Sequence, residues 1–185
     1  MKTQWKQEVR KVSLYNGKKH KIPYIIDADF LYVVGLIAGD GDIRKSGETY
    51  SIRFSNSIPV LHTYFRDVID KQFALHIDVQ KGNSQRPTAT RTHSKIVAQI
   101  LFSLGVPISP KSHRIYFSPA LLHLNNDLLC YYIAGLYDTD GSVVIRKTHG
   151  SDCIDLTTCS ETLARQLQLV LLRFNIHAHL RKRKP

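Results

Sequence analysis

The 185-residue sequence has few cysteines and no long apolar run. Cys130, Cys153 and Cys159 are odd in number and include no Cys-x-x-Cys pair, which excludes a complete disulfide framework. The sequence contains no run of about 18 apolar residues, which is the length needed to span a membrane. Residues 1–17 lack the apolar core of a signal peptide. We therefore expect half-buried thiols in a cytoplasmic, organellar or nucleoid-associated protein that is not secreted.

Acidic residues are scarce relative to basic ones. The sequence has 15 Asp and Glu against 26 Lys and Arg, a formal net charge of +11. Such an excess indicates a polyanionic partner, most often nucleic acid, and no basic amphipathic helix favours a membrane surface instead. The nine histidines are scattered, and the pair His177 and His179 alone does not define a zinc site.

One nine-residue motif occurs twice, 100 residues apart. Val33–Gly41 reads VVGLIAGDG, and Ile133–Gly141 reads IAGLYDTDG. Both copies are apolar nearly all round, which predicts two buried helices. We expect a side-chain cap at the start of each and a left-handed glycine at the end. The predicted caps are Asp27 or Asp29 and Asn125 or Asn126, and the predicted terminal glycines are Gly41 and Gly141.

Small residues in the two helices predict a close crossing, with Gly35, Gly135 and Ala134 at the interface. Each helix ends in an aspartate, Asp40 or Asp140, which the negative end of the helix dipole disfavours. An Asp-Gly helix end is common by itself, but its duplication in register indicates a site.

A divalent cation would stabilise two aspartates at adjoining helix ends. Carboxylates and free helix-end carbonyls, here those of Gly39 and Thr139, are oxygen ligands that suit Mg²⁺ or Mn²⁺. We therefore predict that Asp40 and Asp140 bind metal and are catalytic.

The two motifs resemble the signature helices of the LAGLIDADG homing endonucleases, in their single-chain form with two motifs. The second copy matches nearly position for position, and the first has Ala38 where the signature has its first Asp. The resemblance implies an α+β fold of two pseudo-symmetric αββαββα repeats. Their antiparallel, saddle-shaped sheets would pack on the central helix pair. It also implies that Asp40 and Asp140 each serve one DNA strand.

The predicted organisation has four parts. Residues 1–26 form a basic N-terminal extension, 27–108 the first repeat, 109–126 a linker and 127–185 the second repeat. The extension could be a hairpin, an arm on phosphates or a solvated tail. The second repeat lacks counterparts of the strand at Thr88 and the helix from Ile96. This favours a C-terminally truncated sequence over a minimal second half.

The linker sequence around Leu104–Pro107, followed by Lys111 and Pro119, resembles that of intein-type members. This resemblance implies that Lys111 is an electrophilic catalytic residue, whereas a surface lysine in a loop is the alternative. Period-two alternation predicts further strands, and Ser57 and Ser160 are predicted to cap two helices. The predicted strands are residues 50–55, 75–80, 88–92, 142–147, 154–158 and 177–184.

A basic sheet face is predicted to enter the major groove of DNA. The predicted DNA contacts are Arg44, Lys45, Arg53, Gln80, Arg91, Arg146, Lys147, His177, His179, Arg181 and Arg183. The function predicted from these features is site-specific hydrolysis of double-stranded DNA at a long target site by a monomer. The alternative is an RNA maturase acting on intron RNA, or a non-cleaving DNA-binding regulator.

Overall fold

The computed structural model describes residues 10–13, 19–22, 26–84, 86–145 and 151–182, with backbone alone in the first two ranges. The first repeat contains α1 (Ala28–Asp40), β3 (Gly41–Ser46), β4 (Thr49–Asn56), α2 (Pro59–Phe73), β5 (Asp78–Gln80), β6 (Thr88–His93) and α3 (Lys95–Ser103). It is preceded by β1 (Arg10–Ser13) and β2 (Lys19–Ile22). The second contains α5 (Asn126–Asp140), β7 (Gly141–Val144), β8 (Cys153–Leu156) and α6 (Glu161–Leu172), after a short linker helix α4 (Pro119–Leu122).

The strands form three antiparallel sheets, so the predicted α+β class is confirmed. β1 and β2 pair as a hairpin, β3-β4-β6-β5 form a four-stranded sheet, and β7 pairs with β8. The order α1-β3-β4-α2 recurs as α5-β7-β8-α6 in matching register, with Gly41 opposite Phe54 and Gly141 opposite Leu156. Within the described residues, the second repeat has no counterpart of β5, β6 or α3.

The signature helices begin at the predicted caps. Asp27 accepts a hydrogen bond from the Phe30 amide at 2.9 Å, and Asn125 accepts one from the Leu128 amide at 3.0 Å. Such caps satisfy amides that the first helical turn leaves without partners. Both helices therefore start where the side-chain chemistry indicates.

The helix ends differ from the prediction of a left-handed glycine. Gly41 and Gly141 have φ of −95° and −86°, which any residue can adopt. Glycine is required there by close approach, because a Cβ on Gly41 would lie 2.6 Å from Ile37 and one on Gly141 would lie 2.3 Å from the Tyr137 carbonyl oxygen. The chain turns from each helix directly into a strand.

The helix crossing is centred on Gly35 and Gly135, as predicted. A Cβ on Gly35 would lie 2.2 Å from the Tyr132 carbonyl oxygen, and one on Gly135 would lie 2.2 Å from the Tyr32 carbonyl oxygen. Ala134 is exposed, so its predicted place at the interface is wrong. Its counterpart in the first repeat, Val34, is buried in the common core of both repeats.

We expect Gly135→Ala to destabilise the protein by about 2 kcal/mol. The substitution gains about 1 kcal/mol of helix propensity, but its methyl group would meet a backbone oxygen that cannot move aside without separating the helices. Ala134→Gln, at the exposed neighbouring position, should change stability by less than about 0.5 kcal/mol. Urea unfolding of the two variants measures the difference, and equal stabilities would contradict the close crossing.

Two further predictions are corrected by the structure. The residue before α2 is Ile58, not the predicted cap Ser57, and the Asn56 side chain accepts from the Ile58 amide instead at 2.7 Å. Residues 176–182 form no strand, although their alternation predicted one over 177–184. Alternation alone does not form a strand without a neighbouring strand to satisfy its backbone groups. Ser160 caps α6 as predicted, at 3.1 Å from the Leu163 amide.

Candidate active site

The two signature helices bring their terminal aspartates together. Asp40 and Asp140 are the last residues of α1 and α5, and both are half-buried. A Cβ on Gly39 would lie 3.3 Å from the carboxyl carbon of Asp140, so the helix ends adjoin. Burial raises the pKa of Asp140; Lys111 opposes this increase and Asp40 adds to it. The arrangement concentrates negative charge at one point on the pseudo-twofold axis.

Lys111 provides a positive charge at the same point. Its ammonium group donates to the carbonyl oxygens of Ala38 and Gly39, which the end of α1 leaves free. Burial lowers the pKa of Lys111, and the nearby carboxylates, Asp140 foremost, oppose that decrease. The linker therefore contributes a lysine to the end of the first signature helix.

The backbone around Lys111 holds this lysine in place. The Lys111 carbonyl oxygen accepts from the amides of Arg114 and Ile115 at 2.8 and 3.0 Å. The Ser109 amide donates to the Ile43 carbonyl oxygen on β3 at 2.8 Å. These bonds fix the linker to the first sheet, immediately beyond the end of α1.

Asn56 is a site residue that the sequence analysis missed. Its amide nitrogen donates to Asp40 at 2.6 Å, while its oxygen accepts from the Ile58 amide. That second bond fixes the orientation of the side-chain amide toward Asp40. The available signal was the hairpin register, which places the end of β4 opposite the end of α1.

The second repeat has threonine at the position of Asn56. Thr158 lies two residues beyond Leu156, as Asn56 lies two residues beyond Phe54, and its hydroxyl accepts from the Ser160 amide at 3.1 Å. In both repeats, therefore, the side chain at this position accepts a hydrogen bond from the amide two residues farther along the chain. Thr158 has no side-chain amide, so the surroundings of Asp40 and Asp140 differ.

The donor atoms fit a hard cation. Among the described residues, no group of three or more His, Cys, Asp or Glu could hold a metal ion, so the protein offers the two carboxylates and helix-end carbonyls. Mg²⁺ is commonly bound by one or two carboxylates and completed by water and substrate phosphate. The carbonyl of Gly39, a predicted ligand, accepts a hydrogen bond from the Lys111 ammonium group. The carbonyl of Thr139 is the other predicted ligand, and the hydroxyl of this residue donates to the carbonyls of Gly135 and Leu136.

Comparison with known protein families finds that residues 127–185 match the LAGLIDADG-like domain, which includes the second motif and Asp140. The chain belongs to the LAGLIDADG family. This family includes homing endonucleases and maturases, and nucleic-acid binding is a family trait. No described helix is both long and apolar enough to cross a membrane.

Three relatives are similar over most of this LAGLIDADG chain. It is 31% identical to the ATP-dependent DNA helicase Hel308 of Methanocaldococcus jannaschii and 29% identical to a subunit of the A-type ATP synthase of Methanopyrus kandleri. It is 25% identical to elongation factor 2 of M. kandleri. The matches include 83%, 84% and 83% of this chain, but only 12%, 14% and 11% of the three relatives.

Four predicted DNA-contact residues of the LAGLIDADG chain share one face of the four-stranded sheet. Cross-strand pairing places Arg53 beside Arg91, and Arg44 and Gln80 lie on the same face of the outer strands. Asp42 and Asp78 lie in the same row, opposite Arg53 and Arg91 respectively, and Asp42 forms an ion pair with Arg44 at 3.2 Å. The face is therefore polar and mixed in charge.

The other predicted DNA contacts among the described residues do not lie on that face. Lys45 is on the opposite side of β3, with its ammonium group 5.7 Å from the centre of the Tyr50 ring. His177, His179 and Arg181 are exposed in the irregular segment after α6. Arg146, Lys147 and Arg183 lie outside the described residues.

The signature helices differ in the acceptor that they offer to a tyrosine hydroxyl, because the first has Ala38 where the second has Asp138. The Tyr32 hydroxyl donates to Asp138 at 2.5 Å. The equivalent pair is Tyr132 and Ala38, and alanine offers no side-chain acceptor. Tyr132 is completely buried, and its hydroxyl has no hydrogen-bond partner among the described residues.

We expect Tyr132→Phe and Tyr32→Phe to change stability in opposite directions. Removing the buried, unpaired hydroxyl of Tyr132 should stabilise the protein by about 1 kcal/mol, whereas removing the Tyr32 donor to Asp138 should cost about 1 kcal/mol. The two substitutions delete the same atom from equivalent positions, so each is the control for the other. Urea unfolding at neutral pH measures both, and destabilisation by Tyr132→Phe would show that its hydroxyl has a partner in solution.

Proposed function

We propose that this chain is a site-specific homing endonuclease that hydrolyses double-stranded DNA at a long target site and depends on Mg²⁺ or Mn²⁺. The observation that carries the proposal is the meeting of Asp40 and Asp140 beside Lys111 at the ends of two crossed helices. A structural role alone does not explain this charge arrangement, because two half-buried carboxylates at helix C-termini oppose folding.

Each aspartate has a defined part in the proposed reaction. Asp40 and Asp140 would hold the metal, one aspartate for each DNA strand, and bound metal would supply activation of the attacking water and stabilisation of the departing 3′-oxygen. The Lys111 ammonium group stabilises negative charge that develops on the phosphate. Asn56 positions the Asp40 carboxylate through its hydrogen bond.

The four-stranded sheet is the proposed DNA-binding surface. Arg44, Arg53, Gln80 and Arg91 have the donors that read base edges and phosphates in the major groove. The net charge of +11 favours association with any DNA, so sequence selection must come from the polar residues of this face. We propose that the protein acts as a monomer, since one chain contains both motifs.

The relatives support an origin in a mobile coding segment, of the intron or intein type. A helicase, a component of an ATP synthase and an elongation factor share no named function, yet each has a region similar to this chain. The shared region is a small fraction of each relative. A segment with its own activity, inserted in unrelated proteins, explains this distribution.

A cleavage selection tests the proposed function. The protein is incubated with a DNA library containing randomised sites and candidate intron or intein junctions, with Mg²⁺ and in a parallel reaction with EDTA. We expect metal-dependent double-strand cuts at one long sequence. Binding of a specific duplex without cleavage would indicate a DNA-binding regulator. Preferential binding of structured intron RNA would indicate a maturase.

A further inference from the structure

His62, on the buried side of α2, has a hydrogen-bond partner at each nitrogen of its ring. Nδ1 lies 3.1 Å from the hydroxyl oxygen of Thr90 on β6, and Nε2 lies 2.9 Å from the backbone carbonyl oxygen of Asn56 on β4. Since a carbonyl oxygen only accepts, Nε2 is the nitrogen that donates. The ring also packs against Phe54, with centroids 5.0 Å apart. His62 is only 7% exposed, so its ring joins α2 to two strands inside the first repeat.

The residue that accepts from His62 is the residue that contacts Asp40. The side-chain oxygen of Asn56 accepts from the Ile58 amide at 2.7 Å, and its side-chain nitrogen donates to Asp40 at 2.6 Å. Asn56 is therefore held both at its backbone carbonyl and at its side-chain oxygen. Together these two bonds determine where its side-chain nitrogen points.

The second repeat has no such contact at the equivalent position. His62 is the fourth residue of α2, and Ala164 is the fourth residue of α6. Alanine has no side-chain group that can form a hydrogen bond, and Thr158 stands in place of Asn56. The support that His62 provides is therefore specific to the end of the first signature helix, which contains Asp40.

We propose that His62 is a positioning residue for Asp40. It fixes the backbone of Asn56, so that the Asn56 side-chain amide holds the Asp40 carboxylate in the orientation that would bind metal. Outer hydrogen bonds of this kind orient a metal ligand, and the loss of one commonly costs roughly 10- to 100-fold in metal affinity or activity. The effect on cleavage rests on the proposed nuclease function, whereas the effect on Asn56 is a property of the free protein.

Solvent exchange of the Asn56 side-chain amide tests the positioning without DNA or metal. The amide is observed in nitrogen–proton NMR spectra, and its signals are identified by their loss in Asn56→Thr, which introduces the residue of the second repeat. We expect His62→Leu to speed this exchange by about tenfold. His62→Met fills the same space with a flexible apolar chain and should have the same effect, so it replaces His62→Leu if that variant does not fold. His62→Gln retains a donor near the position of Nε2 and should stay within about twofold of the original chain.

Cleavage of a duplex with a different label on each strand tests the consequence for the reaction. The strand assigned to Asp40 is the one whose cut is lost in Asp40→Asn. We expect His62→Leu to slow this cut in single turnover by about tenfold or more and the other cut by less than about twofold. In the Asn56→Thr background, His62→Leu should have no further effect, because the missing amide already disconnects His62 from Asp40.

Val68→Ala is the matched control for a general loss of stability. Val68 is buried on the same helix, about 9 Å along its axis from His62. The substitution removes two methyl groups from the core and should lower Tm. It should leave both the ratio of the two strand rates and the exchange of the Asn56 amide unchanged.

Two results would overturn the proposal. Unchanged exchange of the Asn56 amide in His62→Leu or His62→Met would show that His62 does not hold this side chain. Equal slowing of both strand cuts, or a further loss in the Asn56→Thr background, would show that His62 acts on the fold as a whole. If the original chain cuts no DNA while the Asn56 amide responds as expected, the nuclease function is wrong and the positioning of Asn56 by His62 is supported.

Discussion

Asp40→Asn and Asp140→Asn should each abolish cleavage of one DNA strand. Each variant should still cut the other strand and so act as a nicking enzyme. Each substitution keeps the size of the side chain but removes the charged metal ligand. We expect the rate at the affected strand to fall by about 1000-fold, which corresponds to about 4 kcal/mol of transition-state stabilisation. Single-turnover cleavage of a duplex with a different label on each strand measures both rates.

The thermal stability of Asp140→Asn distinguishes a loss of catalysis from a loss of folding. Burial raises the pKa of Asp140 in the folded state, so its ionisation above the unfolded pKa opposes folding. Asn at this position is neutral, and Asp140→Asn should unfold at the same or a higher temperature at neutral pH. Loss of both strand cuts together with a lower Tm would instead indicate damage to the fold, and loss of neither cut would contradict the proposed roles.

Lys111→Met should reduce the single-turnover cleavage rate by about 100-fold or more while DNA affinity changes by less than about tenfold. The substitution keeps the length of the apolar stem and removes the ammonium group that contacts the carbonyls of Ala38 and Gly39. Because Lys111 belongs to the linker but lies near both aspartates, the rates at both strands should decrease.

Lys95→Met is the matched control for Lys111→Met. Lys95 begins α3, is exposed, and forms an ion pair with Glu48 at 3.4 Å. Lys95→Met therefore removes one positive charge, as Lys111→Met does, at a position away from the site. If Lys95→Met reduced cleavage as much as Lys111→Met, the effect would be one of net charge on DNA binding, and the proposed electrophilic role of Lys111 would be wrong.

The sequence predicts the central helices well because their signal is local and duplicated. Caps at Asp27 and Asn125 follow from hydrogen-bonding chemistry within one turn, and the crossing at Gly35 and Gly135 follows from side-chain size. Duplication adds a further constraint, since an acidic residue at the end of a buried helix is informative only when it recurs. The pairing of Asp40 with Asp140 was predictable for this reason.

Features that depend on distant neighbours were not predictable. Asn56 reaches Asp40 only because the hairpin returns β4 to the end of α1, so the contact could be inferred only from the register of that hairpin and not from the residues next to Asn56. The segment 177–184 has the alternation of a strand, but pairing requires an adjacent strand, which the described residues do not provide. Ala134 is small like the glycines of the crossing, but it is exposed. Its exposure depends on how completely the second repeat surrounds α5, which residue size does not predict.

The attachment of Lys111 to the first sheet determines how the molecule can be divided. The lysine approaches the site through bonds that its neighbours make to β3 and within the linker. Farther along, the linker is also bonded to the second repeat: the Ser160 hydroxyl donates to the Ile115 carbonyl oxygen at 2.7 Å, and the Gln166 side chain bonds to both backbone polar groups of Phe117. A boundary drawn by motif alone would assign the linker to either half. A chimera that exchanges the second repeat for that of another protein should therefore join after Ser118 and retain Ser160 and Gln166, so that the linker carrying the lysine keeps its bonds to both halves.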